Sequence, residues 1–482
     1  MKLGQTSIIY FVSKIVGSFL GFLATIYFTR TLGENIYGFY AVTLALVSWL
    51  GLVKNVGFGQ AMIKRISEGQ ESDAFLTAGT AIKGALTLLV VLGVGFFQDQ
   101  INAYVGQPVA EFVVLLLVVS IFSGIVSSAL KGSHLVHIYA PLSTAKQGAK
   151  SVFMIAFVYI GWELSGMLLG YALGSVLISI VGFWFVKPSL TVPQWRHVTS
   201  LFDFAKFSWL GSLRKRAFKD MDILVLGLFV PSGLIGIYAV AYALSEFLDI
   251  FGTALKNTLF PELSKRATTD DHDIIRTLTN DAISYAGLFV IPGIVGGTIL
   301  GDRLMRIYGD GFEIGSQVLP ILLVGMLAYS YNKQLLNTLN GINRPNLAFR
   351  ANAVFVVSNL VLNVFLVYTL GWVGAAIATA TSAGIGLTFG FYYTRRHVGF
   401  TIPFAEIARQ WTAALGMGIV VYAVRELGET NWTWIDDFNA VFVVLLVGIG
   451  AAVYFILLLC ISSTFRTTVT NNLPFAVPLL DR

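Results

Sequence analysis

The chain has 482 residues, of which 56% are hydrophobic and only 12% are charged, and its formal net charge is +6. Typical soluble domains contain about 25% charged residues, so this composition excludes an ordinary soluble protein. Together with a mean hydropathy of +0.76 it indicates a polytopic membrane protein. The single cysteine, Cys460, excludes an internal disulfide framework and a Cys-based zinc site. The absence of a run of five or more lysines and arginines argues against a nucleic-acid partner.

About fourteen stretches are apolar and long enough to span a bilayer, which requires about 20 residues. In chain order they are 7–29, 36–53, 75–97, 109–130, 142–161, 164–186, 207–230, 233–256, 281–300, 315–336, 347–369, 371–393, 405–424 and 438–461. Short breaks rich in glycine, proline or asparagine separate several of them, including Gly33-Glu34-Asn35 and Leu370-Gly371. The runs are continuous rather than alternating, which favours helices over a β-barrel. The sequence therefore predicts an all-α integral membrane protein.

Lysines and arginines are unevenly distributed between the loops on the two sides of the predicted membrane. The side of both termini has most of them, whereas the opposite loops contain only Arg30, Arg303, Arg306 and Arg425. Cytoplasmic loops are enriched in these residues. We therefore expect a multi-pass protein of the plasma membrane with both termini in the cytoplasm.

An internal repeat predicts the domain organisation. Residues 36–46 (IYGFYAVTLAL) align with 234–244 (LIGIYAVAYAL), which places Gly38 opposite Gly236. Because each copy would contain six spans, an even number, the copies have the same orientation, as in transporters with parallel repeats and a pseudo-twofold axis. The predicted parts are an N-terminal six-helix bundle at 1–190, a second six-helix bundle at 191–400, and two additional transmembrane helices with a cytoplasmic tail at 401–482.

This layout favours a transporter over an enzyme. Substrates of such transporters bind between the two halves near the membrane midplane. An enzyme would need a cluster of acid, base or metal-binding groups, and the best match, Asp271-His272-Asp273, lies in a charged connector. We therefore expect neither catalytic activity nor a cofactor or metal.

Charged residues inside predicted spans are the candidate functional residues, because they are costly in a bilayer. The basic ones are Lys14, Lys83, Lys146, Lys150, Arg214, Lys215, Arg216 and Lys219. Lysine and arginine bind phosphate oxygens through charge-assisted hydrogen bonds, so this set predicts an anionic substrate such as a phosphate or diphosphate. In the alternative interpretation, their side chains extend to the membrane interface and acidic residues neutralise them.

Four acidic residues also fall within predicted spans, namely Asp220, Asp222, Glu246 and Asp249. Glu246 and Asp249 are three residues apart and can face the same cavity. They are candidates for a proton or sodium coupling site, and a purely charge-balancing role stays open for all four.

Several segments carry a family resemblance. They include the opening SKIVGSFLGFLATIYFTRTLG, the pattern Gly236-Ile-Tyr238-Ala-Val-Ala, and Gly371-Trp-Val-Gly374-Ala-Ala-Ile-Ala-Thr379. In these segments the chain resembles the Wzx-like polysaccharide and lipid-linked oligosaccharide flippases of the multidrug/oligosaccharidyl-lipid/polysaccharide exporter superfamily. The resemblance implies a central cavity that opens alternately to each side of the membrane, and a substrate of sugars linked to undecaprenyl or dolichyl (di)phosphate. It also implies a diphosphate-binding role for Lys14 on the first helix.

The leading hypothesis is a flippase for a lipid-linked oligosaccharide, surrounded by membrane lipids and acting as a monomer. A cation-coupled multidrug exporter of the same superfamily would favour an acidic cavity and twelve spans. A membrane-embedded polysaccharide polymerase or glycosyltransferase would need a catalytic motif or a large extracytoplasmic loop. The sugar, the lipid carrier, the energy source and the coupling ion stay open at this stage.

Overall fold

The computed structural model describes the backbone at residues 3–55, 57–186, 191–267, 269 and 271–472. Side chains are described within these ranges from Ser13 onward, except at 14, 15, 206–217, 219, 471 and 472. In this part of the chain all regular secondary structure is helical. The prediction of an all-α fold is confirmed.

Long helices follow one another along the chain with short connections. They are α1 (Leu3–Asn55), α2 (Phe58–Ser67), α3 (Ser72–Phe96), α4 (Gln98–Val105), α5 (Ala110–Gly132), α6 (Val136–Tyr159), α7 (Glu163–Val186), α8 (Trp195–Phe229), α9 (Ser232–Leu248), α10 (Ile250–Ala267), α11 (His272–Ala286), α12 (Val290–Arg306), α13 (Leu319–Gly341), α14 (Pro345–Val398), α15 (Phe404–Asn431), α16 (Asn439–Ile461) and α17 (Ser463–Asn472). A 3₁₀ helix at Asp310–Gln317 lies between α12 and α13.

Eight helical stretches of the described chain are long and apolar enough to cross a membrane, or up to ten if each of two bent helix pairs is one span. Two of the eight, Val16–Asn55 and Pro345–Val398, each overlap two of the predicted spans. The total of fourteen stays a prediction. Large apolar side chains on α3 are well exposed, among them Leu88, Leu89 and Leu92, as expected for a surface in contact with lipid rather than water.

Glycine breaks the two longest helices where the sequence predicts turns. In α1 the only residue with non-helical angles is Gly33, with φ 77° and ψ 176°, and in α14 it is Gly371, with φ 61° and ψ −142°. Positive φ values are easily adopted only by glycine, which has no Cβ. The predicted breaks at these two positions are confirmed.

The chain divides into two compact units, Met1–Gly236 and Ile237–Arg482. The predicted span 207–230, assigned from sequence to the second bundle, lies in α8, which packs against α1, α2 and α3 of the first unit. The predicted third part, 401–482, falls within the second unit, where α15 and α16 pack against α12. The bundle boundaries at 190 and 400 therefore stay predictions, and the observed compact units divide elsewhere.

Within the first unit, α1 and the beginning of α9 approach so closely that only glycine fits. A Cβ on Gly38 would lie 1.8 Å from the carbonyl oxygen of Ser232, and one on Gly236 would lie 2.2 Å from that of Glu34. The alignment of the predicted repeat pairs Glu34 with Ser232 and Gly38 with Gly236. The contact is thus reciprocal, which is the pattern that a local twofold axis produces.

In the second unit, ion pairs connect α12 to α15 and to the turn between α15 and α16. Arg303 Nη1 is 2.8 Å from Asp436 Oδ1, and Arg425 Nη2 is 2.6 Å from Asp302 Oδ2. Arg303 Nε also lies 3.1 Å from a carboxylate oxygen of Glu429. Arg303 and Arg425, which the sequence assigns to extracytoplasmic loops, therefore join α12 to α15 and to the turn between α15 and α16.

Candidate functional site

Two predicted site residues, Lys146 and Lys150, lie one turn apart on α6 and are half-buried. The Lys150 Nζ atom is 4.0 Å from the centre of the Tyr171 ring on α7, a cation–π contact. Among the described side chains, neither lysine has an acidic partner. This part of α6 therefore carries two positive charges that neighbouring carboxylates do not balance.

Close packing of α7 on α6 fixes the position of Lys150. A Cβ on Gly174 would lie 2.4 Å from the Lys150 backbone nitrogen, and one on Gly170 would lie 2.4 Å from that of Met154. Glycines four residues apart allow two membrane helices to approach closely. The same approach brings the Tyr171 ring on α7 to the Lys150 ammonium.

The predicted diphosphate-binding residue Lys14 lies on α1, and its side chain is outside the described residues. The adjacent Ser13 carbonyl accepts a hydrogen bond of 2.6 Å from Thr144 Oγ1 on α6. Thr144 precedes Lys146 by two residues. Helix α1 therefore reaches α6 with position 14 at the level of the α6 lysines.

Lys83 on α3 is almost completely buried, with 6% of its surface exposed. Its Nζ atom is 3.2 Å from where a Cβ of Gly124 on α5 would lie. No hydrogen bond or salt bridge within the described part of the chain involves this ammonium. A buried charge without a partner is strongly unfavourable, which makes Lys83 a candidate for contact with an anion.

Sequence analysis missed Lys54, which it places in a cytoplasmic loop. In the structure this residue is in the last turn of α1 and is 7% exposed. Its Nζ atom donates to the Leu117 carbonyl at 2.6 Å and to Ser120 Oγ, both on α5. The available signal was a lysine three residues before a helix-breaking glycine, Gly57, which has φ 81° and precedes α2.

The predicted cations of α8 have helical backbones, but their side chains lie outside the described residues; they are Arg214, Lys215, Arg216 and Lys219. The acids that follow them are described. Asp220 is 8% exposed and accepts a hydrogen bond of 2.5 Å from Ser48 Oγ on α1, and Asp222 is completely buried. Both acids therefore lie inside the first unit.

In the second unit, the predicted acid Asp249 forms a buried ion pair with Lys333 of α13. Lys333 Nζ also donates to Thr253 Oγ1 at 3.0 Å. Asp249 Oδ1 has no hydrogen-bond partner among the described residues. Glu246, three residues earlier, is half-buried. Because Asp249 neutralises a buried lysine, its contacts favour the charge-balancing role over the coupling role.

Outside the membrane-spanning segments, Glu71 connects α3 to the first turn of α8. Its carboxylate is 2.6 Å from Arg196 Nη2 and 3.0 Å from His197 Nε2. The hydrogen bond with His197, with a smaller contribution from the Arg196 charge, lowers the pKa of Glu71 below its ordinary value. This contact fixes the segment between α7 and α8 to the first unit.

The candidate metal motif has a structural role. The Asp271 side chain caps α11 by accepting a hydrogen bond of 3.3 Å from the Ile274 amide. Across the described chain, no group of three or more His, Cys, Asp or Glu side chains could hold a metal ion.

Large exposed apolar side chains on α3, buried cations in a helical unit and a reciprocal contact between the segments of the predicted repeat are features of membrane transporters. A family model described as lipid II flippase MurJ matches residues 29–443. This chain therefore belongs to the MurJ flippase family, and its predicted place in the exporter superfamily is confirmed.

Individual relatives agree with this assignment over the whole chain. The probable flippase AglR and the probable low-salt glycan biosynthesis flippase Agl15, both of Haloferax volcanii, are each 28% identical to it over 480 residues. These alignments cover 98% of both chains for AglR, and 99% of this chain and 100% of the relative for Agl15. A solved structure of the lipid II flippase MurJ in an inward closed conformation shares the fold. It has a TM-score of 0.79 at 18% identity, covering 96% of this chain and 99% of that one.

Proposed function

We propose that this protein moves an oligosaccharide linked to a lipid (di)phosphate across the plasma membrane by alternating access. The cations of the first unit bind the (di)phosphate, the sugars occupy the aqueous cavity, and the lipid tail stays in the bilayer. Membership in the flippase family and similarity to a glycan biosynthesis flippase support this substrate class.

One observation carries the proposal: Lys83, Lys146 and Lys150 are at least half-buried and have no acidic partner among the described residues. Burying a charge requires compensation. A substrate diphosphate supplies it through charge-assisted hydrogen bonds. A carrier of cationic drugs would instead need acids at these positions, so the arrangement favours an anionic substrate over the multidrug alternative.

The acids have a secondary role in this proposal. The Asp249–Lys333 ion pair supports charge balancing, and Glu246 of α9 is then the candidate for coupling to a proton or a sodium ion. The protein acts as a monomer with both termini in the cytoplasm. Reporter fusions at Gly33 and Arg303 test the orientation, and a cytoplasmic signal at either position would contradict it.

A reconstituted transport assay tests the function. The full chain is placed in lipid vesicles with a fluorescent diphosphate-linked oligosaccharide, using an undecaprenyl carrier in one arm and a dolichyl carrier in the other. A quencher that cannot cross the membrane reports how fast the label changes sides. We expect rapid transfer with at least one carrier, and no transfer with either would contradict the proposal.

Substitution of the α6 lysines tests the role of the cations. The Lys146→Ala, Lys150→Ala double variant should transfer a subsaturating substrate at least about tenfold more slowly, because each lost charge-assisted contact is worth about 1.5–3 kcal/mol. The matched control is Lys64→Ala, since Lys64 is exposed and lies over the Phe204 ring, 4.7 Å from its centre. If the double variant transfers substrate at the wild-type rate, the lysines do not bind the diphosphate, although the flippase function stands.

A further inference from the structure

We propose that Asn431, the last residue of α15, is the acceptor of an N-linked oligosaccharide. Asn431-Trp432-Thr433 is the only place in the sequence where an asparagine stands two residues before a serine or threonine. This spacing, with any residue except proline between, is the signal for N-glycosylation on an exposed extracytoplasmic loop. The inference goes beyond the proposed function, and it rests on that function for the side of the membrane and for the chemical class of the donor.

The signal lies beyond the predicted membrane-spanning part of α15. The predicted span ends at 424, and the helix continues to Asn431, about two turns or about 10 Å further. In this last part of the helix, Arg425 Nε lies 2.8 Å from a carboxylate oxygen of Glu429. Charged side chains of this kind are unfavourable in the hydrocarbon core. The end of α15 is therefore accessible from the side that the distribution of lysines and arginines makes extracytoplasmic.

Packing of the turn after α15 leaves the asparagine and the threonine exposed. The Trp432 ring stacks on that of Trp434, with centroids 5.8 Å apart, and both rings meet the Phe442 ring at nearly right angles. The side chains of Asn431 and Thr433 are exposed. The Trp432 backbone is extended, with φ −113° and ψ 113°, and an extended residue places the side chains before and after it on the same side. The amide and the hydroxyl are thus presented together.

Few contacts oppose the reaction of this amide. Asn431 Nδ2 donates to the Leu427 carbonyl at 2.8 Å, within the last turn of α15, and helix ends fray easily. Thr433 Oγ1 makes no hydrogen bond within the described part of the chain. Behind the signal, Asp436 Oδ1 lies 2.8 Å from Arg303 Nη1. The turn is therefore anchored on one side and open at its acceptor residues.

The donor is an oligosaccharide linked through C1 of its first sugar to a lipid (di)phosphate, which is the class of molecule that the proposed function delivers to this side. Asn431 Nδ2 forms a bond with C1 while the bond between C1 and the phosphate oxygen breaks. The lipid (di)phosphate leaves with the electron pair of that bond, and the amide nitrogen loses one proton. A separate membrane transferase catalyses the step and recognises the acceptor by the hydroxyl of Thr433.

Mass spectrometry of the full chain, isolated from membranes of the cells that naturally produce it, tests the inference. We expect the peptide that contains 431–433 to carry the additional mass of a glycan in most copies and to release sugar fragments. Asn431→Gln and Thr433→Ala should lose the glycan. Thr433→Ser keeps a hydroxyl at the same spacing and should retain it.

A matched control places the same signal on the opposite side of the membrane. Pro345→Thr creates an acceptor signal at Asn343, which is exposed in a loop that the sequence assigns to the cytoplasm. In this variant Asn431 should carry the glycan and Asn343 should not. A glycan at Asn343 instead of Asn431 would overturn both the inference and the predicted orientation.

Wild-type protein without a glycan at Asn431 would overturn the inference, as would a glycan that survives Asn431→Gln. Since Asn431 lies outside the predicted spans, Asn431→Gln should move the labelled oligosaccharide at the wild-type rate in the vesicle assay, which also shows that the variant is folded. Transport by a wild type that has no glycan at this position in its own cells refutes the inference alone. A glycan at Asn431 without transport of either carrier lipid refutes the proposed function alone.

Discussion

Lysines in the interiors of the two units have different partners. In the first unit, Lys83 has no described partner and Lys150 contacts an aromatic ring, whereas in the second unit Lys333 is paired with Asp249. A paired buried charge contributes to the integrity of a helical unit, and an unpaired one is available to a ligand. The comparison shows that the lysine of the second unit is neutralised by an acid, whereas Lys83 and Lys150 have no acidic partner among the described residues.

The largest effect should come from breaking the pair in the second unit. Lys333→Ala leaves Asp249 buried and unbalanced, and should lower the free energy of unfolding by about 3–5 kcal/mol. Thermal or denaturant unfolding in detergent micelles measures the change. Arg350→Ala, at an exposed position of the same unit, is the control and should change stability by less than about 0.5 kcal/mol.

The double variant Lys333→Met, Asp249→Leu sharpens this test. It removes both charges, and a buried ion pair replaced by apolar residues is often neutral or stabilising. It should therefore recover most of the stability lost in Lys333→Ala. A double variant as unstable as the single one would show that the pair is not the source of the effect.

In the first unit, Lys83→Met should change the free energy of unfolding in the opposite direction. The substitution removes a buried ammonium without breaking a described contact, so the ligand-free protein should gain about 1 kcal/mol or more of unfolding free energy. The same unfolding assay measures the gain. A loss of stability comparable to that of Lys333→Ala would remove the contrast between the two units.

The ion pairs at the end of α12 should contribute less than the buried pair. Arg303 is partly buried and contacts Glu429 and Asp436. Arg303→Ala should cost about 1–2 kcal/mol, because two charge-assisted contacts near the surface are lost. Salt screens such pairs, because the Debye length falls from about 10 Å at 0.1 M salt to about 3 Å at 1 M. The difference in stability between wild type and variant should therefore shrink over this range. A cost that is independent of salt would point to packing instead.

The smallest effect should depend on pH. A hydrogen bond from Arg303, together with its charge, lowers the pKa of Asp436 from the ordinary value of 3.8. A lowered folded-state pKa stabilises the protein above the ordinary value, and this contribution is lost as the pH falls through the folded-state pKa. Unfolding temperatures should therefore differ between the wild type and Asp436→Asn at pH 6 and converge below pH 3.8. A difference that persists in acid would exclude this ion pair as the cause.

Sequence reasoning succeeded where a local property decides the outcome. Continuous apolar runs can satisfy their backbone groups within the bilayer only as helices, and positive φ favours glycine at Gly33 and Gly371. The repeat was also visible, because close helix contacts at Gly38 and Gly236 allow no larger residue. The superfamily followed from the same structural glycines and turns.

Other features depend on which helices pack together. The sequence identified Lys83 as a charge inside a span, but only the fold of the first unit places it at Gly124 and leaves it without an acidic partner. Lys54 is assigned to a loop from sequence, and the structure buries it because the broken helix continues beside α5. The partner of Lys333 is also decided by the fold, because Asp249 is distant from it in the chain.

The sequence by itself determined that this is a helical membrane protein with a repeated sequence segment and an excess of cations inside its predicted spans, because composition, periodicity and glycine positions are local properties. Only the tertiary structure decided which cations are balanced. The free energy of a buried charge depends on the distance to its partners, and these lie on other helices. Lys333 therefore has a structural partner in Asp249, whereas Lys83 has no acidic partner among the described residues.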